Sequence, residues 1–303
     1  MKYARPISWL LLAAAAFSCG KKSSDLPENY FESIEKWHNE RMASLKSETG
    51  WLNLAGLYWL EPGENRFGSA NDNNLSFPES APKYMGKFIW QDTTVTVDIA
   101  PGVEVLHDGK PVTRMRMVAD TDGEPTVLSY GSLRWFIIRR GQHNERFGVR
   151  LRDLEHPDAK YFTGVERYPV DPAWRVQARA VKVEPPETLK IPTVIGDVLE
   201  EPVSMALEFE LQGQTYRLYP SGESGDELFI IFADPTNFDE TYGGGRFLYV
   251  PKPDDHGLTF IDFNKAYNPP CAFTPYATCP LPPEQNRLPI RVTAGEKKYG
   301  EGH

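Results

Sequence analysis

The chain has 303 residues and a formal net charge of −9, with 42 acidic side chains against 33 lysines and arginines. Proteins that bind nucleic acid need a basic surface, so this balance argues against a nucleic-acid partner. The 24 glycines and 26 prolines indicate many turns, and aromatic residues at 12% supply ample material for a core.

Residues 1–18 have the layout of a secretory signal peptide. Lys2 and Arg5 give a positive start, residues 7–17 are almost entirely apolar, and Ser18 is small. The apolar run is shorter than the ~20 residues that a membrane-spanning helix needs. We therefore predict export and cleavage, and no lasting transmembrane segment.

Cys19 follows the signal peptide directly and resembles the cysteine of a bacterial lipobox. We predict that Cys19 is lipidated, that residues 19–27 form a polar tether, and that the lipid anchors the protein to a membrane of the cell envelope. The residues before Cys19, Ala16-Phe17-Ser18, depart from the usual leucine-containing pattern. Cleavage without lipidation is therefore the alternative.

A helix is predicted over residues 28–47. Lysine, glutamate and arginine fill one face, and apolar residues recur at helical spacing on the other: Phe31, Ile34, Trp37, Met42 and Leu45. Gly50 is placed to end the helix. We expect the apolar face to pack against the rest of the protein; a face offered to another protein is the alternative.

Short strands separated by turns are predicted from residue 51 to residue 157. Val95, Val97 and Ile99 alternate so that they share one face of a strand, and Asp108-Gly109 is typical of a hairpin turn. Strands at such intervals, without helices between them, are typical of a sandwich or barrel. The predicted strands are 51–58, 88–89, 95–99, 103–106, 114–117, 127–130, 133–138 and 148–151.

The beginning of this part resembles the opening of a forkhead-associated β-sandwich. Leu60, Pro62-Gly63, Phe67-Gly68-Ser69 and Asn74-Leu75-Ser76-Phe77 carry the resemblance. It implies a β-sandwich for the first part of the chain. That fold binds phosphothreonine through an arginine directly after the glycine. Ser69 occupies that place here, which argues against phosphopeptide binding.

Residues 158–186 are predicted to connect the two β parts. This connector contains Pro185-Pro186 and one predicted strand over 176–183. A second β region follows, with predicted strands at 204–211, 215–219, 228–233, 247–250, 260–262 and 290–293. The predicted fold is therefore mostly β, with two packed β parts of sandwich or barrel type and one N-terminal helix. The first part, residues 28–157, includes the helix; the second, residues 158–303, includes the connector and a proline-rich C-terminal motif.

Cys271 and Cys279 are the cysteines that remain after Cys19. An exported protein lies in an oxidising compartment, so we predict that these two form a disulfide. The chain-entropy model gives a loop of this size a stabilisation of about 2.5 kcal/mol. A reactive or metal-binding pair of thiols is the alternative.

The C-terminal third resembles the domain-of-unknown-function family 1684. The resemblance rests on Thr241-Tyr242-Gly243, Gly245-Arg246-Phe247-Leu248, Asp262-Phe263-Asn264, Asn268-Pro269-Pro270-Cys271, Cys279-Pro280-Leu281-Pro282-Pro283, Asn286-Arg287-Leu288 and Ala294-Gly295-Glu296-Lys297. Gly50-Trp51-Leu52 and Gly56-Leu57, followed by Trp59-Leu60, agree with it as well. The resemblance implies no activity, substrate or cofactor.

The same third carries the candidate binding residues. Arg246 is a fixed cation suited to a carboxylate or phosphate, and Asp262 and Asn264 would share one face of a strand. Further polar side chains complete the predicted site: Asp234, Tyr242, Asn268 and Asn286. We predict that these residues bind a small polar or anionic ligand, a glycan or an organic acid, in a C-terminal cleft. The alternative is that Asp262 and Arg246 form a buried ion pair that holds irregular backbone together.

Two other functions stay open. Asp234 and Asp262 could serve as the acid and base of a hydrolase, or the protein could have a purely structural role in the cell envelope. We find no standard catalytic motif and predict no metal site. Five tryptophans would offer a sugar-binding surface if exposed, but most lie in strand patterns that favour core packing: Trp51, Trp59, Trp90, Trp135 and Trp174.

Overall fold

The computed structural model describes residues 26–142 and 144–300. The predicted signal peptide, Cys19 and nearly all of the predicted tether lie outside the described residues. Among the residues that are described, no helix is long and apolar enough to cross a membrane.

The predicted N-terminal helix is confirmed as α1 (Tyr30–Lys46). Ile34 and Leu45 are buried as expected, but Phe31 is 52% exposed, so its predicted place on the buried face is wrong. Tyr30 is buried in its stead, because its hydroxyl reaches Asp262 near the end of the chain. The helix therefore packs on the C-terminal part of the chain, with Leu45 in a cluster that contains Phe273.

Other helical segments are short and were not predicted. They are α2 (Pro157–Tyr161) and the 3₁₀ turns Pro172–Trp174, Phe263–Lys265, Pro270–Ala272 and Glu284–Asn286.

The first part of the chain is a β-sandwich. Its strands, in chain order, are β1 (Leu54–Trp59), β2 (Gly63–Gly68), β3 (Leu75–Ser76), β4 (Gly86–Gln91), β5 (Thr94–Ile99), β6 (Val105–His107), β7 (Lys110–Val112), β8 (Arg114–Met117), β9 (Leu128–Tyr130), β10 (Leu133–Arg140) and β11 (Arg146–Asp153). One sheet has the order β1-β11-β10-β9-β6-β7 and the other β3-β2-β4-β5-β8.

The core of this sandwich follows from alternation along the strands. Val95, Val97 and Ile99 point inward from β5, as the sequence predicted. They meet the opposite sheet, where Trp135 is fully buried beside Phe67. The resemblance to a forkhead-associated domain stays a prediction.

The second part contains two smaller sheets. Its strands are β12 (Arg175–Pro192), β13 (Val198–Leu211), β14 (Gln214–Leu218), β15 (Gly222–Ser224), β16 (Glu227–Phe232), β17 (Arg246–Pro251) and β18 (Leu258–Asp262). One sheet has the order β14-β13-β12-β18 and the other β15-β16-β17, and they enclose a second core around Phe263 and Phe232. The predicted mostly β fold with an N-terminal helix is confirmed.

The hairpin of β12 and β13 is longer than the sequence predicted. The sequence predicted a strand over 176–183 only, yet β12 continues through Pro185-Pro186 to Pro192. The pairing with β13 shifts register between Lys182 and Glu187, which lets the strand pass two residues that cannot donate to the ladder. The far end of the hairpin thereby reaches the first sandwich, where Asp197 pairs with Arg146.

Candidate functional site

Arg246, the centre of the predicted ligand site, is fully buried. Its guanidinium donates to Oδ2 of Asp234 at 2.7 Å, to the carbonyl of Val292 at 2.8 Å, and to the carbonyl of Ala294. Asp234 in turn accepts from the backbone N–H of Val292 at 3.0 Å. Burial lowers the pKa of Arg246, and the charge of Asp234 opposes that shift.

This pair fixes the last irregular segment of the chain to β17. Because both side chains have no exposed surface, neither meets a ligand from solvent. The structure thus matches the alternative of a buried ion pair, with one correction: the partner of Arg246 is Asp234, and not Asp262.

Asp262 and Asn264 form a second, separate cluster with the N-terminal helix. The Tyr30 hydroxyl donates to Asp262 at 2.9 Å, and the Asn264 amide donates to the Tyr30 oxygen at 2.9 Å and to Asp262 at 3.1 Å. Burial, and then the charge of Asp262, raise the pKa of Tyr30. Asp234 and Asp262 thus lie in two separate clusters, and each accepts hydrogen bonds from protein groups.

Asn286 and Tyr242 are also occupied within the protein. The Asn286 side chain accepts from the N–H of Tyr219 at 2.7 Å and donates to the carbonyls of Tyr219 and Ile231 at 2.8 and 2.9 Å. Tyr242 packs against apolar residues, and burial raises its pKa to about 12. The seven predicted residues therefore do not converge on one cleft.

Asn268 is the predicted residue that does line an open cleft. Its side-chain nitrogen donates to the carbonyl of Lys297 at 2.7 Å, while Oδ1 is buried without a hydrogen-bond partner among the described residues. The cleft has a volume of about 540 Å³. Six aromatic side chains line it, and we call it the aromatic cleft: Trp37, Trp51, Phe229, Phe247, Tyr249 and Tyr267.

A cation lies at the base of the aromatic cleft. The Arg41 guanidinium covers the Tyr267 ring at 4.3 Å from its centroid. It donates to Glu296 at 2.9 Å and to the carbonyl of Asn268 at 2.9 Å. Arg41 is therefore paired, and it fixes Asn268 and Tyr267 in place.

The sequence analysis missed an arginine-rich face on the first sandwich. Strand alternation places Arg146, Arg150 and Arg152 on the face of β11 that points away from the core. Arg134 and Arg140 lie on the same face of β10, opposite Arg152 and Arg146. Arginines at alternate positions of 146–152 and 134–140 were the feature of the sequence from which this face could have been predicted.

This face is covered by the C-terminal motif, and a cavity of about 340 Å³ lies between them. We call it the arginine cavity. Asp197, which is paired with Arg146, lines it together with Arg140, Arg150, Thr278, Cys279, Leu199 and Trp51. Trp51, Phe247 and Pro270 line both this cavity and the aromatic cleft, so the two adjoin.

The two arginines of the cavity differ in their partners. Arg140 forms a two-pronged ion pair with Asp120, at 3.0 Å and 2.8 Å. Arg150 is 4% exposed and forms no ion pair with a described residue. Within the part of the chain that the structure describes, its one hydrogen bond, to the Thr278 hydroxyl, is 3.3 Å long, and its Nε has no partner.

Arg150 keeps its charge at neutral pH. Burial, and then the positive charge of Arg140, lower its pKa to about 10. Arg150 is therefore a buried cation beside a cavity with no ion-pair partner of its own among the described residues, because the nearby Asp120 is paired with Arg140.

The predicted disulfide is not formed in the structure, which carries Cys271 and Cys279 as buried free thiols. The backbone N–H of Cys271 donates to Sγ of Cys279 at 3.0 Å, so the two residues are adjacent. A hydrogen bond from Cys279 lowers the pKa of Cys271. Within the described ranges, no group of three or more His, Cys, Asp or Glu side chains could hold a metal ion.

Comparison with known proteins points to the C-terminal half of the chain. The model of a protein family of unknown function, DUF1684, matches residues 160–297. An uncharacterized protein of Haloarcula marismortui, with a solution NMR structure, is 32% identical; the match covers 46% of this chain and 79% of that chain, with a TM-score of 0.38. No curated protein matches the chain.

Proposed function

Since this chain belongs to the DUF1684 family, whose description states no function, we propose a function from its geometry: the protein binds a small organic anion in the arginine cavity. One observation carries the proposal. Arg150 is a buried guanidinium that lines a cavity and has no carboxylate partner among the described residues.

The energetic argument is that a buried charge without a partner is costly. An ion taken out of water loses several kcal/mol of solvation unless an opposite charge and hydrogen bonds replace it. Arg140 has Asp120 for this purpose, whereas Arg150 has one long hydrogen bond. A bound anion would supply the missing charge and accept from the unused donors.

The donor set indicates the chemistry of the anion. The planar fork of a guanidinium matches two oxygens of a carboxylate or phosphate. The Thr278 hydroxyl lies beside it, and Leu199, Ile195 and Phe247 give the cavity an apolar wall. A volume of about 340 Å³ suits an anion with a small organic body.

A purely structural role is the second candidate. The buried pair of Asp234 and Arg246, and the cluster of Tyr30 with Asp262, support it for most of the C-terminal motif. Neither explains why Arg150 is buried unpaired. A hydrolase that uses Asp234 and Asp262 has no comparable support, because both carboxylates are held by protein donors.

The proposal is tested by a thermal-shift screen of the full-length protein against acetate, succinate, citrate and inorganic phosphate at constant ionic strength. Ligands that bind the folded state raise its melting temperature by mass action. We expect at least one organic anion to do so in the wild-type protein and not in Arg150→Met. Arg134→Met is the matched control, because Arg134 lies at the far end of the same face and donates to nearby backbone carbonyls. Equal shifts in all three proteins, or none in any, would count against the site.

We also propose that the protein is exported and attached to the cell envelope by a lipid on Cys19, on the strength of residues 1–19. In that oxidising compartment we propose that Cys271 and Cys279 become bridged, since they are adjacent. Labelling of cells with a fatty-acid analogue should mark the wild-type protein and not Cys19→Ala. Equal labelling of both would refute the anchor.

A further inference from the structure

The aromatic cleft adjoins the arginine cavity. Trp51 belongs to both, and its ring lies 5.7 Å from the Arg150 guanidinium carbon. A molecule that has its anionic group at Arg150 and is long enough to pass Trp51 would reach the aromatic cleft.

The aromatic cleft has ring faces that remain uncovered by the protein's own groups. Tyr267 is covered by Arg41 on one side and stacks with Tyr249, with ring centroids 6.1 Å apart. Tyr249 is itself 38% exposed, and Trp37 and Trp51 are half-buried. Flat aromatic surfaces of this kind pack against the C–H faces of rings such as those of sugars.

The aromatic cleft also offers hydrogen-bond acceptors beside the donors Lys265 and Ser44. Asn268 has no exposed surface, and its Oδ1 is buried without a partner among residues 26–142 and 144–300. Its amide is oriented by the bond from Nδ2 to the Lys297 carbonyl, so Oδ1 is the atom left to accept. Glu40 and Glu227 also line the cleft. The two carboxylates accept, and Lys265 and Ser44 donate, so the cleft suits a ligand whose hydroxyl groups can do both.

We infer that the ligand is a sugar that carries one anionic group, such as a uronic acid or a sugar phosphate. The anionic group binds Arg150, the ring lies against Trp51, Trp37 and Tyr249, and ring hydroxyls donate to Glu40 and Glu227. The inference rests on the proposed anion site and adds the class of molecule that occupies both cavities.

Isothermal titration of the full-length protein separates the two claims. The probes are glucuronate, galacturonate and glucose 6-phosphate, with acetate and inorganic phosphate as bare anions and methyl glucoside as the neutral sugar. We expect a sugar acid or sugar phosphate to bind at least about tenfold more tightly than the bare anion of the same charge group. If the sugar acid binds more tightly, the anionic group is a carboxylate; if the sugar phosphate binds more tightly, it is a phosphate.

Tyr249→Ala should remove that gain and leave the affinity for the bare anion unchanged. Tyr249 is exposed enough for its loss to be tolerated, and Tyr161→Ala, at a tyrosine that is 72% exposed on α2, is the matched control. Trp37→Ala serves as a second test at another lining residue of the aromatic cleft.

Two outcomes overturn different claims. If the bare anions bind through Arg150 but the charged sugars bind no more tightly, the sugar inference fails and the anion site stands. If charged sugars bind equally well to Arg150→Met, the anion site fails, and with it the assignment of one ligand to both cavities.

Discussion

Arg140 and Arg150 donate to the same atom, Oγ1 of Thr278, at 3.1 Å and 3.3 Å. Arg140 also has the carboxylate of Asp120, whereas Arg150 has none among the described residues. Two like charges thus share a single neutral acceptor and one counter-ion. The unpaired positive charge of Arg150 lies beside a cavity, whereas Arg246 is buried and paired. The arginine cavity is therefore the better candidate for the functional site.

Substitution of the two arginines should change stability in opposite directions. Arg150→Met removes an unpaired buried charge and keeps most of the side-chain volume, so the free energy of unfolding should rise by about 1–3 kcal/mol. Arg140→Met leaves Asp120 without its partner and should lower the same quantity. Urea denaturation monitored by circular dichroism measures both, and a clear loss of stability in Arg150→Met would contradict the account.

Loss of the buried pair should be severe. Arg246→Met leaves Asp234 as an unpaired buried charge, and we expect the free energy of unfolding to fall by about 3–5 kcal/mol. Arg217→Met, which removes an exposed cross-strand pair with Glu208, is the control and should leave the melting temperature unchanged. If Arg246→Met folds normally but no longer binds anions, the site belongs at Arg246 after all.

The attachment of α1 to the rest of the protein should depend on the hydroxyl of Tyr30. Tyr30→Phe removes the hydrogen bond to Asp262 and should cost about 1–3 kcal/mol of unfolding free energy. Tyr84→Phe is the control, because Tyr84 is exposed and its contact with Asp72 is 3.4 Å long. Hydrogen exchange should find the amides of α1 less protected in Tyr30→Phe, and equal protection would show that apolar packing alone holds the helix.

Stability should fall in alkaline solution. Burial raises the pKa of Tyr58 and of Tyr242 from 10.0 to about 12. The protonated phenols are thus favoured by the fold; their stabilisation is complete below pH 10 and is lost as the pH rises from about 10 toward 12. Chemical denaturation at several pH values should show a smaller decline in the double variant Tyr58→Phe, Tyr242→Phe. A decline of the same size in both proteins would assign the effect to other groups.

The thiol pair should report on the compartment. We expect alkylation and mass spectrometry to find Cys271 and Cys279 free in protein made without residues 2–18, and bridged in protein recovered from the cell envelope. Free thiols in the envelope protein would contradict the proposed bridge. If the protein made without residues 2–18 also carried the disulfide, the disulfide would not indicate export.

The sequence correctly predicted those parts of the fold that depend on the periodicity of neighbouring side chains. The helix over 28–47 and the alternation of Val95, Val97 and Ile99 follow from side-chain periodicity, and both are found. Phe31 was misplaced because helical spacing alone does not tell which of two neighbouring aromatic residues finds a partner. Tyr30 found one in Asp262, which is 232 residues away.

The candidate site was harder to predict because distant packing creates it. Sequence spacing did not decide whether Asp234 or Asp262 would meet Arg246. Arginines at alternate positions of a strand usually face solvent, and Arg150 is buried only because Thr278 and its neighbours, 128 residues later, cover that face. An arginine can be recognised as unpaired only when the positions of all nearby carboxylates are known, and the sequence does not give them.

The most direct test of the central claim is a calorimetric titration of wild-type protein and Arg150→Met with the organic anion that gives the largest thermal shift. We predict saturable binding of one anion per wild-type chain and no measurable binding to Arg150→Met, while the variant remains folded and at least as stable. Binding of equal affinity to both proteins, with both folded, would contradict the assignment of the site to Arg150.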